Sequence, residues 1–301
     1  MHSPVNARAR DAAPAGCVSG SLTMLGQVCD MNRASIADLI VARLKPELER
    51  LAAEFHDRAR IPSCQILDLL PPELASEIHG RFPPSDRMML KRSIKENKHV
   101  AAQMDAFDPL LEEVVYAFQD PRVVAQIAQI TGLTTLEPDV DLYAGGISAM
   151  SKGAYLRPHL DNSHDKKRER YRVLNLLYYV TPGWQESYGG SLQLWDEGPR
   201  GAPRTFPSLF NSLVIMLTNK GSWHSVNEVR HDGRRCCVSN YYFSRRSPDE
   251  ADYFHATSFR GEPGQVSADL VMRADNALRT AALKLLGDKI YVNPHVYNRD
   301  R

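Results

Sequence analysis

The sequence predicts an α+β protein: a helical N-terminal half packed against a β-sandwich or barrel, with one more helix toward the C-terminal end. Three observations predict it. Apolar residues recur at helical spacing before residue 137. From there on, short β-branched and aromatic runs are separated by clusters of Gly, Pro, Asn and Asp, the pattern of a sandwich or barrel. Helical periodicity returns only at about 268–286.

The elements follow in order. Ile36, Ile40, Leu44, Leu48, Leu51 and Phe55 mark one face of an amphipathic helix, opened by a start signal at Ser35–Asp38. Pro46 should kink it or begin a second helix. Pro71 and Pro72 precede a short helix over 73–79, closed by Gly80 and by Pro83 and Pro84. Helices are expected at 109–119 and 122–130, the second opening on Pro121 and stopping before Gly132. Strands are expected at 139–143, 154–161, 171–180, 191–195, 212–217, 223–229 and 235–244. The layout is a disordered leader (1–32), a helical support region (33–136), a β core (137–247) and a C-terminal helix with its tail (248–301), in one integrated domain. The leader lacks the sustained apolar segment of a secretory signal.

Composition narrows the function classes. A chain of 301 residues can bury a full core without staples. With 37 basic and 36 acidic side chains the formal charge is +1, which argues against nucleic acid as a partner. No apolar run has the length of a membrane-spanning helix, so no membrane partner is expected. Cys17, Cys29, Cys64, Cys236 and Cys237 form no CxxC pair and read as reduced thiols of a cytoplasmic protein.

The chemistry concentrates in Arg157-Pro-His159-Leu-Asp161. On a strand, residues two apart share a face, so an imidazole and a carboxylate stand side by side. His224, on a later strand, supplies a second imidazole. Two histidines and one carboxylate leave open positions on Fe(II), the arrangement of non-haem iron oxygenases, and would also accept Zn or Mn. Open positions favour chemistry over a structural role. Arg235 opens the final strand, and alternation places Arg235, Cys237, Ser239 and Tyr241 on one face and Arg234 on the other. A buried guanidinium beside such a metal is the fork that a dicarboxylate cosubstrate requires.

These residues resemble the Fe(II)/2-oxoglutarate dioxygenases, in particular the prolyl 4-hydroxylase-like branch. The resemblance runs from about Asp141 to Ser244 through His159-x-Asp161, His224, Arg235, the stretch Arg172–Trp184 (RVLNLLYYVTPGW) and the Gly-Gly strand Tyr188–Trp195 (YGGSLQLW). It implies a double-stranded β-helix, or jelly-roll, barrel over 137–247. It implies Fe(II) held by His159, Asp161 and His224, with 2-oxoglutarate and O2 as cosubstrates. Arg235 and Tyr179 would bind the far carboxylate of 2-oxoglutarate, with Tyr143 and Asn175 as further contacts and Leu177 and Leu192 as the apolar wall. Cys237 stands where some relatives carry Ser, so a hydroxyl contact would fall to Ser239. The carboxylate of Asp161 argues against halogenation, for which related enzymes carry a small residue.

The reaction implied is hydroxylation of an aliphatic C–H in a small molecule, an amino acid or a peptidyl substrate, prolyl included, with release of succinate and CO2. The alternative is a metal- and 2-oxoglutarate-binding jelly-roll module or sensor without turnover. A bare cupin is disfavoured because its His-x-His pair is missing. Arg87, Lys91, Arg92, Lys95 and Lys98, together with the loop 162–170, read either as contacts for an anionic substrate at the barrel mouth or as a solvated charged surface. His164 and His231 read as loop residues, the latter exposed.

Overall fold

The computed structural model describes residues 31–57, 59–249, 251–286 and 296–298, without the side chains of 282–286. Most of the segment expected as a leader, residues 1–30, lies outside the described residues.

Six α-helices occur among the described residues: α1 (Arg33–Leu44), α2 (Leu48–Phe55), α3 (Pro72–Gly80), α4 (Pro109–Ala117), α5 (Pro121–Thr131) and α6 (Val266–Leu286). Pro46 does open a new segment, because a 3-10 turn at Lys45–Glu47 separates α1 from α2. The start of α1 differs from expectation. Asn32 is the N-cap, its side-chain oxygen accepting from the Ser35 backbone N–H at 3.0 Å, so Ser35 already lies inside the helix. Helices α4 and α5 both follow the pattern of a capping aspartate and then proline. Asp108 accepts from Leu110 N at 3.0 Å and Asp120 from Arg122 N at 2.9 Å. The fully buried Ile36, Ile40, Leu44, Leu51, Val114, Val123 and Ile127 are the core stripes of these helices.

The strands are β1 (Ser63–Ile66), β2 (Met89–Arg92), β3 (Glu96–Ala101), β4 (Glu137–Pro138), β5 (Gly146–Ser151), β6 (Tyr155–Leu160), β7 (Tyr171–Tyr179), β8 (Leu192–Leu194), β9 (Arg204–Phe206), β10 (Ser212–Leu217), β11 (His224–Val226), β12 (Arg234–Ser244) and β13 (Ser258–Phe259). All pairs are antiparallel, in the order β1-β10-β7-β12-β5-β3-β6-β11-β8-β9, a nearly closed jelly-roll-like barrel. Strand β3 is the seam, pairing with β5 through His99–Ala101 and with β6 through Glu96 and Asn97. Side chains bridge the two end strands. Arg204 on β9 donates to Ser63 Oγ and Ile61 O, both at 3.0 Å, and Asp196 accepts from Ile61 N at 2.8 Å.

Three strands therefore come from the region expected to be purely helical. β1 is short and β2 is largely exposed, so neither shows sustained alternation in sequence. The strand expected at 139–143 is instead a turn. The Asp139 carboxylate accepts from Tyr143 N, Ala144 N and Gly145 N at 3.0, 2.9 and 3.2 Å, and the strand begins only at Gly146. Gly146 has φ +115°, and a Cβ there would sit 2.2 Å from Ala101 O on the seam strand, which leaves glycine as the residue that fits.

Two packing regions fill the interior. Tyr179, Leu192, Leu194, Phe206, Val214, Met216 and Cys237 form one, and Met150, Leu156, Trp184, Val226, Val229, Phe259 and Met272 the other. The outer face of β7 and β12 is covered by the helical region. Tyr178 packs 5.8 Å from Phe118, ring to ring, and the Tyr242 hydroxyl donates to Phe118 O. No helix among the described residues is long and apolar enough to cross a membrane.

Candidate metal and cosubstrate site

His159 lies at the end of β6 and His224 at the start of β11, and the two are direct partners in the register of that pair. Their rings are 4.1 Å apart. Asp161 follows β6 by one residue. Ligand atoms of the three side chains all lie within 4.8 Å of one another, close enough for one metal ion to reach them all. No other such His/Cys/Asp/Glu group occurs among the described residues.

Neighbouring groups hold each ligand in its metal-binding form. The Nδ1 of His159 is 2.9 Å from Arg157 O, and that of His224 is 2.9 Å from Ser222 O. A backbone carbonyl requires N–H at Nδ1, which leaves the Nε2 lone pair of both rings facing the cluster. Phe259 stacks on His159 at 5.2 Å and fixes its tilt. Asp161 Oδ2 accepts from Asn175 Nδ2 at 2.9 Å and lies 3.3 Å from Arg172 Nη1. Burial alone would raise the Asp161 carboxyl, but the Arg172 guanidinium holds it well below the usual carboxylate range. Burial lowers His224 to about 4, with the neighbouring His159 adding to the effect. A neutral imidazole pair and an ionised carboxylate are the forms that bind a divalent cation.

The cluster opens into a cavity of about 110 Å³. At one end, Arg235 lies with its guanidinium 5.1 Å from the centre of the Tyr179 ring. Both residues are buried, and both Arg235 Nε and Tyr179 Oη lack a hydrogen-bond partner. The bond from Arg235 Nη2 to Met150 Sδ at 2.7 Å does not answer its charge. Gly190 leaves room for it, since a Cβ there would press on Arg235 Cδ at 3.1 Å. A buried cation and a buried phenol left open side by side form a receptor for a carboxylate.

The other expected site residues divide. Asn175, Ser239, Leu177 and Leu192 all line the cavity. Asn175 spends its amide N–H on Asp161, so it positions the metal ligand and keeps only Oδ1, buried and unpartnered, for anything else. Tyr143 is not among the lining residues; it lies in the turn held by Asp139, with its phenol near the Arg172 guanidinium. Cys237 and Tyr241 also line the cavity, as alternation from Arg235 requires, while Arg234 points away and donates to Pro83 O. The loop 162–170 contributes no lining residue. It folds onto itself through Asp165, which binds Arg170 Nε at 2.7 Å, and His164 packs against Tyr171 at 4.3 Å. His231 is not exposed: it stacks on Tyr188 at 3.8 Å.

Arg172 is the site residue that strand alternation misses. From the inward-facing Asn175, Leu177 and Tyr179 it should point outward. The β7–β12 register, however, shifts between Tyr242 and Phe243, which pair with Leu174 and Arg172, so Val173 is the extra residue of a bulge. One extra residue reverses the faces beyond it. Arg172 thereby lies over the Tyr241 ring at 4.6 Å and reaches Asp161.

Residues 145–243 match the family model of the 2OG-Fe(II) oxygenase superfamily. The match covers the barrel of this chain, which resembles that superfamily. Over 84 residues, 26% of this chain and 16% of that protein, the sequence is 37% identical to the prolyl 3-hydroxylase OGFOD1 of Xenopus laevis. Its similarity to OGFOD1 of Mus musculus is 28% over 142 residues, covering 46% of this chain and 24% of the relative. The chain thus spans less than a quarter of the length of these curated relatives. Among solved structures it is similar to a Pseudomonas putida prolyl-4-hydroxylase, with a TM-score of 0.49 and 21% identity, covering 65% of this chain and all of that one. Oxygenases of this superfamily use Fe(II), 2-oxoglutarate and O2. The donor set of His159, Asp161 and His224 fits the metal, and the open Arg235 and Tyr179 fit the far carboxylate of the cosubstrate.

Proposed function

We propose that this protein is an Fe(II)/2-oxoglutarate-dependent dioxygenase that hydroxylates an aliphatic C–H, with a prolyl residue as the substrate unit. The observation that carries the reading is the presence, in one cavity, of a metal-competent His-Asp-His cluster and an unsatisfied Arg235–Tyr179 pair. The prolyl unit rests on the prolyl 3-hydroxylase relatives.

When bound, the iron supplies the oxidative chemistry that converts 2-oxoglutarate to succinate and CO2 and hydroxylates the substrate. The chain does the rest. His159 and His224 present their Nε2 atoms to the metal, each ring held at Nδ1 by its carbonyl partner. Asn175 and Arg172 orient the Asp161 carboxylate and keep it ionised. Arg235 and Tyr179 anchor the distal carboxylate, while Leu177, Leu192 and Val226 exclude water from the space between. No general base is needed among these residues. The three described cysteines are buried thiols without disulfides, which supports a reducing, cytoplasmic setting.

The test is anaerobic reconstitution with Fe(II) and 2-oxoglutarate, followed by admission of O2 and measurement of succinate. Turnover that disappears in Asp161→Ala supports the reading. Binding of metal and 2-oxoglutarate without any succinate makes the protein a sensor, and succinate formation unaffected by Asp161→Ala removes the assigned centre.

A further inference from the structure

The hairpin β2–β3 carries the cationic stretch seen in the sequence, and the fold gives its residues different tasks. Lys95 pairs with Asp275 and lies over the Phe259 ring at 5.6 Å, and Arg87 donates to Ala106 O at 3.0 Å, so both are structural. Lys98 lines the cavity, as does Val100 two residues on. Lys91 is the direct cross-strand partner of Lys98. Directly opposed residues of an antiparallel pair share a face, so Lys91 stands on the cavity side of the hairpin.

Charges facing this entrance do not balance. Lys98 is answered by Glu96 at 3.2 Å, and Arg172 by Asp161 at 3.3 Å. Lys91 is half-buried, with no ion pair or hydrogen bond among the described residues. Burial lowers its ammonium, and Lys98 and Arg172 push in the same direction against Glu96. Two lysines opposite one another, both drawn partly out of water, are unfavourable for the sheet alone. A bound metal dication and the dianionic cosubstrate cancel, so the excess positive charge at the entrance remains. Around it the wall is apolar, formed by Val100, Leu156 and Val226.

We infer that Lys91 and Lys98 form a recognition pair for a carboxylate carried by the substrate beside the carbon that is hydroxylated. The oxyanion would sit between the two ammonium groups, with the reacting carbon directed along the apolar wall toward His159, Asp161 and His224. This rests on the oxygenase reading above. The carboxylate has two chemical sources, an acidic side chain next to the prolyl unit or the free C-terminus of a short peptide.

Both sources can be tested with four labelled Ala-Gly peptides containing a central proline. One pair has blocked ends and carries Glu or Gln after the proline. The other ends directly after the proline as the free acid or the amide. Binding is read by fluorescence polarisation on the protein charged with Mn(II) and 2-oxoglutarate, where no turnover occurs. One acid should bind about tenfold more tightly than its amide partner, in keeping with a charge-assisted contact. That preference should fall severalfold in Lys91→Gln and in Lys98→Gln, and should shrink as salt rises in the wild type. The salt series stands even if a variant fails to fold. Equal binding of acid and amide in both pairs, no binding of either acid up to millimolar concentration, or a preference unmoved by salt overturns the inference. Substrate-independent succinate formation, measured separately, tells the two failures apart. If it is present and lost in Asp161→Ala, only the recognition pair is wrong; if it is absent, the oxygenase reading falls and takes this inference with it.

Discussion

Replacing Arg235 by Met should make the empty protein no less stable and make it blind to 2-oxoglutarate. In the structure Arg235 is buried, its Nε has no hydrogen-bond partner, and its guanidinium meets a thioether and the face of the Tyr179 ring but no carboxylate among the described residues. An uncompensated buried charge of this kind costs several kcal/mol, and exchanging such a group for a well-packed apolar one is neutral to stabilising by about 1–4 kcal/mol. A cosubstrate carboxylate turns the liability into two charge-assisted bonds, each contributing about 1.5–3 kcal/mol. Losing both raises the Kd by about two to four orders of magnitude, at about 1.4 kcal/mol per factor of ten. The assay is thermal unfolding with Mn(II), with and without 2-oxoglutarate at one hundred times the wild-type Kd. Wild type should gain about 2.7 kcal/mol from the ligand. At about 2–4 °C per kcal/mol this is a rise of roughly 5–11 °C. Arg235→Met should show a rise below about 2 °C from the same ligand concentration. A variant that keeps most of the wild-type shift would show that the cosubstrate carboxylate lies elsewhere, and a large loss of stability without ligand would refute the account of Arg235 as an open charge.

Other consequences are as direct. Asp161→Asn should abolish stoichiometric Fe(II) binding, measured by metal analysis after gel filtration, and should also destabilise the metal-free protein by about 3–5 kcal/mol because Arg172 loses its buried counter-charge. Tyr242→Phe leaves Phe118 O without its donor in a buried position, which should cost about 1–3 kcal/mol in urea unfolding while leaving succinate formation intact. Gly146→Ala drives a Cβ into Ala101 O at a left-handed φ and should separate β3 from β5, seen as loss of amide-exchange protection at residues 99–101. Burial would raise the Asp196 carboxyl, but its bonds from Arg204 and Ile61 N hold it below its usual value. Its contribution is therefore present above the unfolded pKa and lost as pH falls through the folded one, so wild type should lose stability more steeply than Asp196→Asn below about pH 4.

Much of this was legible in the sequence, where local chemistry dictates the result. Pro109 and Pro121 behind Asp108 and Asp120 start helices because proline needs no donor there and aspartate caps the free N–H groups. The alternation of Arg235, Cys237, Ser239 and Tyr241 reached the cavity because β12 runs through them without a bulge. What escaped depends on partners far along the chain. Nothing local marks β1, whose four residues are a strand only because β10 lies beside them. Nor does anything local mark the bulge at Val173, which turns Arg172 inward, or the Asp139 cradle, which replaces the expected strand by a turn. The order of the faces was readable, but not the places where the count slips by one.

Strand β3 has a consequence for how the chain reaches this state. It is the stitch between β5 and β6, and β1 pairs with β10 from a position some 150 residues earlier, Cys64 opposite Ile215. The stretch 145–243 therefore cannot close upon itself: excised, it would expose the flank of β10 and the gap between β5 and β6 to any passing strand. During synthesis β1 and β3 emerge first and must wait, unpaired, until their partners have been made. Closure at such separation is slow, and the waiting strands are open to misassembly, so a rate-limiting last step at the seam and a need for chaperone protection before it are built into the topology.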